Sequence, residues 1–318
     1  MSRVMLTTNP AARTNLVGAA YGLAAVLIWA LYLSTTRQAV SGELTPADVI
    51  FFRFAGAGLI MLPWLMRNGV GKGGLRDLGG VGWLRGAALA LAVGPVFIFV
   101  ASAAFVYVPL AHGAVLQPST AAMASIAAAI FLLHERVTKA RMVGTAIIIG
   151  GITLIATGSG GRLGEDAWIG YALSVAAGLC WAIFTVMLKQ WSIDGIDATA
   201  AASFISALVY VPLFFAFDTT ERMAQLSLWE LSAQFLVHGA LAGVMAIIAF
   251  GRAVTHLGAS GASLFPALVP ASTLIVGIPI TGEWPSLIEW IGALTATLGL
   301  AVAVGAFSRH TLGRVRQS

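Results

Sequence analysis

Long apolar stretches recur along the whole chain, and this recurrence constrains the fold more than any other feature of the sequence. A transmembrane helix needs about 20 mostly apolar residues to cross the hydrocarbon core of a bilayer. Short polar, Gly-rich or Pro-containing segments separate the stretches, and none is long enough to hold a soluble domain. The sequence therefore predicts an all-α integral membrane protein. We place ten transmembrane helices, spans one to ten, at 16–36, 48–66, 83–105, 111–133, 140–158, 168–188, 198–217, 234–253, 258–280 and 286–307.

The composition supports a membrane protein and excludes several other classes. Only 10% of the residues are charged and 58% are hydrophobic, whereas a soluble domain carries about 25% charged residues. The net charge of +5 does not indicate a nucleic-acid-binding protein, because Lys and Arg are spread over short connections instead of forming a stripe. The single cysteine, Cys180, cannot form an internal disulfide and is predicted to be inert and buried.

The distribution of basic residues predicts the orientation. If the N-terminus is cytoplasmic, fourteen Lys and Arg fall in cytoplasmic segments and three, Arg37, Arg162 and Arg222, fall outside. Together with Arg53 inside span two, these account for all 18 basic residues. Since basic residues concentrate in cytoplasmic loops, we expect both termini in the cytoplasm.

An internal repeat divides the chain into two five-helix halves, 1–158 and 159–318. A shift of 152 residues aligns Gly18–Gln38 with Gly170–Gln190, including Trp29-Ala30 with Trp181-Ala182. A shift of 148 aligns His112–Pro118 with Ser260–Pro266. Because five is odd, the second half must enter the membrane upside down, as in many secondary transporters. The sequence thus predicts two inverted repeats.

Several short motifs accompany the repeat, namely the two Trp-Ala pairs, Arg53-Phe54 after Pro46, Gly113-x-x-x-x-Pro118 repeated as Gly261-x-x-x-x-Pro266, His134-Glu135-Arg136, Gly144, Gly150-Gly151, Gly282-Glu283 and Gly292. In this order they resemble the motifs of the drug/metabolite transporter superfamily, in its ten-helix EamA branch. The resemblance covers nearly the whole chain, although span seven lacks the basic residue of span two. It implies a bacterial inner-membrane exporter or exchanger of amino acids and small metabolites, and exporters of the YddG type fit best.

Acidic residues are missing from the middle third of every predicted span. Embedded carboxylates are the usual proton relay and the usual partner of a cationic substrate. Their absence argues against carboxylate-driven proton antiport and against a strongly charged substrate. We therefore expect a neutral or zwitterionic substrate, with facilitated diffusion or exchange first and His-linked proton coupling second.

Aromatic residues recur on one face of spans one and six. Trp29, Tyr32 and Thr36 follow helical spacing, and Trp181 and Phe184 occupy the equivalent places of Trp29 and Tyr32. They form an aromatic wall for a substrate, or they serve ordinary helix packing or an interfacial belt.

Several prolines and polar residues complete the candidate site. A proline frees a backbone carbonyl, which beside Gln117 could bind a substrate ammonium group, although a satisfied structural kink is the alternative. The histidines either bind substrate or carry a proton, or they are polar anchors near the headgroups. Arg53 either binds a carboxylate or gates the outer side, or it snorkels to the interface. The predicted substrate-binding residues are Trp29, Tyr32, Phe97, His112, Gln117, Trp181, Phe184, His238 and Ser263, and the predicted gating or kink residues are Arg53, Pro95, Pro118, Pro266 and Pro270.

The sequence predicts a monomeric transporter that works by alternating access. Its predicted partners are a small-molecule substrate and the bilayer, and no cofactor is expected. It shows no metal-ligand spacing and no nucleophile constellation, so no enzymatic activity is expected. Efflux of drugs or quaternary amines is an alternative substrate class. Two alternatives belong to other classes of protein. A lipid-modifying enzyme would need a clustered acid–base set, and a non-transporting scaffold would normally carry a soluble signalling domain, but the sequence shows neither.

Overall fold

The computed structural model describes residues 10–68, 74–131, 138–158, 163–217 and 221–304. Within these ranges the chain is helical and has no strand, which confirms the predicted all-α class. The helices are α1 (Pro10–Ser41), α2 (Pro46–Asn68), α3 (Trp83–Val93), α4 (Pro95–Tyr107), α5 (Leu110–Phe131), α6 (Lys139–Gly158), α7 (Ala167–Trp191), α8 (Gly195–Phe217), α9 (Glu221–Ala224), α10 (Leu228–Gln234), α11 (Ala246–Ala262), α12 (Leu264–Ala267), α13 (Val269–Thr281) and α14 (Leu287–Ala303). A 3₁₀ segment, Gly74–Gly80, precedes α3, and a π-helical segment, Phe235–Met245, joins α10 to α11.

Seven helical stretches of the described chain are long and apolar enough to cross a membrane. Two shorter apolar helices, α13 and α14, accompany them. Many apolar side chains are exposed on the outside of the bundle, and some of them, such as Leu84, Phe131 and Phe217, are more than two thirds accessible. An exposed apolar surface of this extent suits contact with lipid rather than water.

The third predicted span is interrupted at the expected place. α3 ends at Val93, and α4 begins at Pro95 after Gly94, whose backbone leaves the helical region at ψ −143°. A Cβ on Gly94 would lie 2.0 Å from the carbonyl oxygen of Ala90, so only glycine fits this bend.

The ninth predicted span is also broken. Gly258 turns the chain with φ 72° and ψ 166°, and Pro266 lies in the four-residue helix α12. Pro270 is the second residue of α13, where the missing N–H costs no helical hydrogen bond. It therefore starts a new helix segment instead of bending a continuous one. Pro118, in contrast, lies inside the uninterrupted α5.

The eighth predicted span contains a feature that the apolar pattern did not predict. Phe235–Met245 winds as a π-helix between α10 and α11. π-Helical turns are rare and occur frequently at functional sites. This segment carries His238, one of the predicted substrate-binding residues.

Glycines allow α6 and α14 to pack closely. Ala303 and Ala296 of α14 face Gly144 and Gly151 of α6. A Cβ on Gly151 would lie 2.6 Å from the backbone nitrogen of Ala296 and 2.7 Å from the carbonyl oxygen of Gly292. Small residues that let two backbones approach are a usual means of helix association in lipid. This close packing joins the fifth predicted span to the tenth.

Candidate substrate-binding site

Three predicted site residues from three helical segments meet inside the bundle. The Tyr32 ring of α1 meets the His238 ring of the π-helical segment edge-on, with centroids 5.4 Å apart. The Arg53 guanidinium of α2 lies over the Tyr32 ring at 5.4 Å from its centroid, in a cation–π arrangement. Arg53 Nη1 also donates a hydrogen bond to the His238 carbonyl oxygen at 3.3 Å. We call Tyr32, Arg53 and His238 the central cluster.

Two glycines bring the central cluster together. α2 crosses the π-helical segment where Gly56 faces Gly239, and a Cβ on Gly56 would lie 2.7 Å from the Gly239 Cα. Arg53 lies almost one turn before Gly56, and His238 directly precedes Gly239. The close backbone approach therefore places the guanidinium against the His238 backbone and the Tyr32 ring. Arg53 therefore points between α2, α1 and the π-helical segment.

The His238 imidazole is buried without a hydrogen-bond partner. Its side chain is fully inaccessible, and neither ring nitrogen has a partner among the described residues. A buried polar group that is left unsatisfied costs about 1–3 kcal/mol. The neighbouring guanidinium has five donors, of which one finds an acceptor among the described residues. The central cluster thus holds unused hydrogen-bonding capacity next to a positive charge, which suits a carboxylate or another acceptor.

Aromatic side chains also pair between α1 and α11 and between α4 and α7. Trp29 of α1 packs against Phe250 of α11 with ring centroids 5.7 Å apart. Phe97 of α4 packs against Trp181 of α7 at 5.9 Å, and Trp181 packs against Phe184 at 5.6 Å. Trp29 lies on the same helix as Tyr32, one turn away. The structure therefore brings the predicted aromatic residues into two groups instead of one wall.

The predicted polar residue Gln117 bridges two helices. Its side chain is buried and its Nε2 donates to the Ala101 carbonyl oxygen of α4 at 3.1 Å. Its backbone oxygen lies against Gly178 of α7, where a Cβ would be 2.7 Å away. Ser263 is half-buried just before α12. Gln117 thus links α5 to α4 and α7.

His112 belongs to a separate buried polar cluster that also contains residues missed by sequence reasoning. Its Nδ1 is 2.8 Å from the Tyr171 hydroxyl of α7, and its Nε2 is 3.2 Å from Glu289 Oε1 of α14. We call these three residues the His112 cluster. Glu289 looks like a span-end acid in the sequence, and the Ser286-x-x-Glu289 capping box marks the start of α14. The contact between His112 and Glu289 could not be predicted, because nothing in a single sequence shows that these two residues meet.

Ion pairs tie distant parts of the chain together near the end of α1, which the charge pattern predicts to face outward. Arg37 Nε is 2.6 Å from Glu283 Oε1, and Glu283 Oε2 accepts from the Leu110 N–H at 2.8 Å. Asp48, fully buried at the start of α2, pairs with Arg222 at 3.1 Å. We call this region the predicted outer end.

Other predicted residues cannot be placed. His134-Glu135-Arg136, Arg162 and both chain ends lie outside the described residues, as does the side chain of Ser260. Within the described chain, no group of three His, Cys, Asp or Glu residues is suited to hold a metal ion.

An apolar helical bundle with charged and aromatic side chains meeting between its helices is typical of membrane transport proteins. Comparison with known proteins makes this class specific. The model of the EamA-like transporter family matches residues 16–157 and, a second time, residues 168–305. The chain therefore belongs to the EamA-like transporter family and is a transporter, not an enzyme. The resemblance seen in the sequence is confirmed.

Individual relatives are distant. The chain is 27% identical over 214 residues to the probable terminal-alkyne amino-acid exporter of Streptantibioticus cattleyicolor, covering 67% of this chain and 69% of that protein. It is 26% identical over 275 residues to the uncharacterized transporter YyaM of Bacillus subtilis, and the alignment covers 83% of this chain and 86% of YyaM. Among the solved structures that match is a crystal structure with a TM-score of 0.62 over 96% of this chain and 99% of that chain. Its identity is 18%, so this likeness concerns the fold alone.

Proposed function

We propose that this protein is a secondary transporter of amino acids or similar small zwitterionic metabolites. The observation that carries the proposal is the central cluster, where Arg53 and the unpaired His238 imidazole face the Tyr32 ring. A substrate carboxylate would pair with the guanidinium of Arg53, and the imidazole of His238 would then gain a hydrogen-bond partner in the substrate. The aromatic pair of Trp29 and Phe250 joins α1, the helix of Tyr32, to α11, which follows the π-helical segment of His238. This pair suits an apolar side chain. The amino-acid exporter among the relatives supports this substrate class.

The proposed mechanism is alternating access between two inverted five-helix halves, 1–158 and 159–318. Helix directions support the inversion. The end of α1 reaches the end of α4 through Arg37 and the Phe105 carbonyl oxygen, and the start of α7 packs there too, through Gly170 against Ala104. Because α1 ends where α7 begins, the first helices of the two halves run in opposite directions.

The pattern of helix packing supports the same proposal. α1 packs against α11 and α13, whereas its counterpart α7 packs against α4 and α5. α2 packs against α8, and α6 against α14. Exchanging the two halves reproduces this pattern, and it also exchanges the Trp29–Phe250 pair with the Trp181–Phe97 pair. Together with α5, α13 and α14, the seven long apolar stretches give the ten spans of the proposed topology.

We further propose the location that the sequence predicts, namely a bacterial inner membrane with both termini cytoplasmic, and a monomeric state. Fluorescent-protein and phosphatase fusions at each end report the side of each terminus. Both ends in the cytoplasm are expected, whereas ends on opposite sides would exclude five-plus-five inversion.

A substrate-competition panel tests the function. Purified protein in liposomes preloaded with unlabelled phenylalanine should take up radiolabelled phenylalanine by exchange. External neutral amino acids should compete, whereas amino-acid amides, which lack the carboxylate, should compete poorly. The alternative substrate class, quaternary amines, is favoured by the aromatic pairs, but a cation would face repulsion from Arg53. Competition by tetraphenylphosphonium and none by amino acids would support that alternative instead.

A further inference from the structure

The carboxylate of Glu283, which follows the end of α13, contacts the first half of the chain with both of its oxygens. Oε1 is 2.6 Å from Arg37 Nε near the end of α1, and Oε2 accepts from the Leu110 N–H at the start of α5 at 2.8 Å. Arg37 also donates from Nη1 to the Phe105 carbonyl oxygen of α4. We call Arg37 and Glu283 the outer ion pair. One side chain of the second half thus joins helix ends of the first half.

The outer ion pair is partly shielded from water. The side chains of Arg37 and Glu283 are 17% and 29% accessible. Partial burial strengthens the attraction above that of a fully exposed pair, which contributes little. The Glu283 carboxylate also lies at the N-terminus of α5, where free backbone N–H groups favour a negative charge. The outer ion pair therefore stabilises the contact between α13 and α5, and its remaining exposure lets water replace the contact when it breaks.

The outer ion pair lies between the level of the central cluster and the predicted outer end. Arg37 is five residues after Tyr32 in the continuous helix α1, which places it about 7–8 Å further along the helix axis. A cavity of about 260 Å³ adjoins the pair and is lined by Arg37, Glu283 and Ala111, among others. Ala111 is only 5% accessible. A solute that moves between the central cluster and the predicted outer end must therefore pass the level of this pair.

The end of α13 is built to move. Pro279 lies inside α13 and lacks the N–H that would bond to the Ile275 carbonyl oxygen. Gly282 ends the helix with φ 70°, and a Cβ there would meet no described atom within 4 Å. Glu283 is the next residue. The last turn of α13 is thus loosely held by its own backbone, and the Glu283 carboxylate ties it to α1 and α5.

The internal repeat contains the same two charges a second time. The shift of 152 residues relates Arg37 to Lys189, and the shift of 148 residues relates Glu283 to Glu135, which lies outside the described residues. A basic and an acidic residue therefore recur at equivalent positions of the two repeats. Because inverted repeats exchange their conformations during alternating access, this recurrence favours a role of the outer ion pair in the transport cycle.

We propose that Arg37 and Glu283 form the outer gate of the transporter. The pair holds the outer end closed, and it breaks when the end of α13 moves away from α1 and α5 to open the path to the central cluster. The gate rests on the proposed alternating access but not on the identity of the substrate. Removal of either charge therefore favours the outward-open state.

Cysteine labelling tests the gate without relying on transport. Ala111→Cys, in a protein with Cys180 replaced by Ser, places a thiol on the wall of the cavity beside the outer ion pair. The rate at which this thiol reacts with a maleimide reports how often the outer end opens. The purified protein is labelled in detergent micelles at one pH. Micelles leave both ends of the protein accessible, so the result does not depend on the orientation in the membrane.

Loss of either charge should accelerate the labelling. Glu283→Gln keeps an acceptor for the Leu110 N–H and loses the negative charge. The rate should rise about five- to tenfold, which lies between the effects of losing an exposed ion pair and a buried charged hydrogen bond. Arg37→Gln should raise it similarly. In the double variant the two effects should not multiply, because both single variants lose the same contact.

Two controls separate gating from general loosening. Glu43→Gln removes an exposed carboxylate from the connection between α1 and α2, at the same end of the protein, and should leave the Ala111→Cys rate unchanged. Ser203→Cys replaces a buried hydroxyl of α8, which is 4% accessible, with a thiol of similar size. Its labelling rate should be the same with and without Glu283→Gln. Elution from gel filtration checks the folding of every variant.

Three results would overturn the gate. They are unchanged Ala111→Cys labelling in a folded Arg37→Gln or Glu283→Gln variant, equal acceleration at Ser203→Cys, and single effects that multiply in the double variant. Absence of phenylalanine exchange, in contrast, would count against the proposed substrate and leave the labelling result unaffected.

Discussion

The packing of α6 against α14 leads to a sharp prediction about stability. Gly150 and Gly151 are neighbours in α6, and both lack a side chain. A Cβ on Gly151 would lie 2.6 Å from the backbone nitrogen of Ala296, whereas a Cβ on Gly150 would meet nothing within 4 Å. Ordinary contacts between carbon atoms are about 3.5–4.0 Å. Gly151→Ala therefore forces α6 and α14 apart by about 1 Å, and Gly150→Ala does not.

The difference between the two alanine variants isolates the packing effect. Both replacements gain about 1 kcal/mol of helix propensity, so this contribution cancels when they are compared. Overpacking a close contact costs typically about 1–3 kcal/mol. Gly151→Ala should thus have a free energy of unfolding about 1–3 kcal/mol below that of Gly150→Ala.

Unfolding by sodium dodecyl sulfate, followed by the fluorescence of the nine tryptophans, measures this difference in mixed micelles. The Gly151→Ala midpoint should lie at a lower detergent fraction than the Gly150→Ala midpoint. Equal midpoints, or a more stable Gly151→Ala, would show that α6 and α14 are not in backbone contact and would refute the reasoning.

Three further predictions concern buried or partly buried residues. His238→Leu removes two unpaired ring nitrogens, so stability should stay the same or rise by about 1 kcal/mol while phenylalanine exchange is lost; a strongly destabilised variant would indicate a structural role instead. Asp48→Asn weakens the contacts of a fully buried carboxylate with Thr45 and the partly exposed Arg222. It should lower the free energy of unfolding by about 1–3 kcal/mol. An unchanged unfolding midpoint would mean that the Asp48–Arg222 pair does not stabilise the protein. Trp29→Ala should insert normally and impair exchange of phenylalanine more than that of alanine, because it removes half of an aromatic pair; equal effects on both substrates would place Trp29 outside the site.

The sequence predicted the elements that follow from apolar periodicity and from proline. The break at Gly94-Pro95 was predicted because glycine and proline both restrict helices in known ways. The helix bounds were less accurate, since α1 extends from Pro10 to Ser41 instead of 16–36. The π-helical segment was not legible, because its residues are as apolar as those of an ordinary span.

The individual residues of the central cluster were predicted from the sequence, but their contacts with one another were not. Tyr32, Arg53 and His238 were each singled out, yet their meeting depends on Gly56 and Gly239, whose close approach is a property of two distant helices. Glu289 was passed over because it lies near the end of a span, yet the structure buries it against His112. One sequence without tertiary contacts does not reveal which residues of separate helices face each other.

Exchange of radiolabelled phenylalanine in liposomes, compared between the parent protein and Arg53→Gln, tests the central claim most directly. Loss of a charged hydrogen bond to the substrate costs about 1.5–3 kcal/mol, which corresponds to roughly a tenfold to hundredfold higher half-saturating concentration. The account predicts that the parent protein exchanges phenylalanine faster than protein-free liposomes do. It also predicts that a normally folded Arg53→Gln variant has this higher half-saturating concentration. No exchange by the parent protein, or an unchanged half-saturating concentration in the variant, would contradict it.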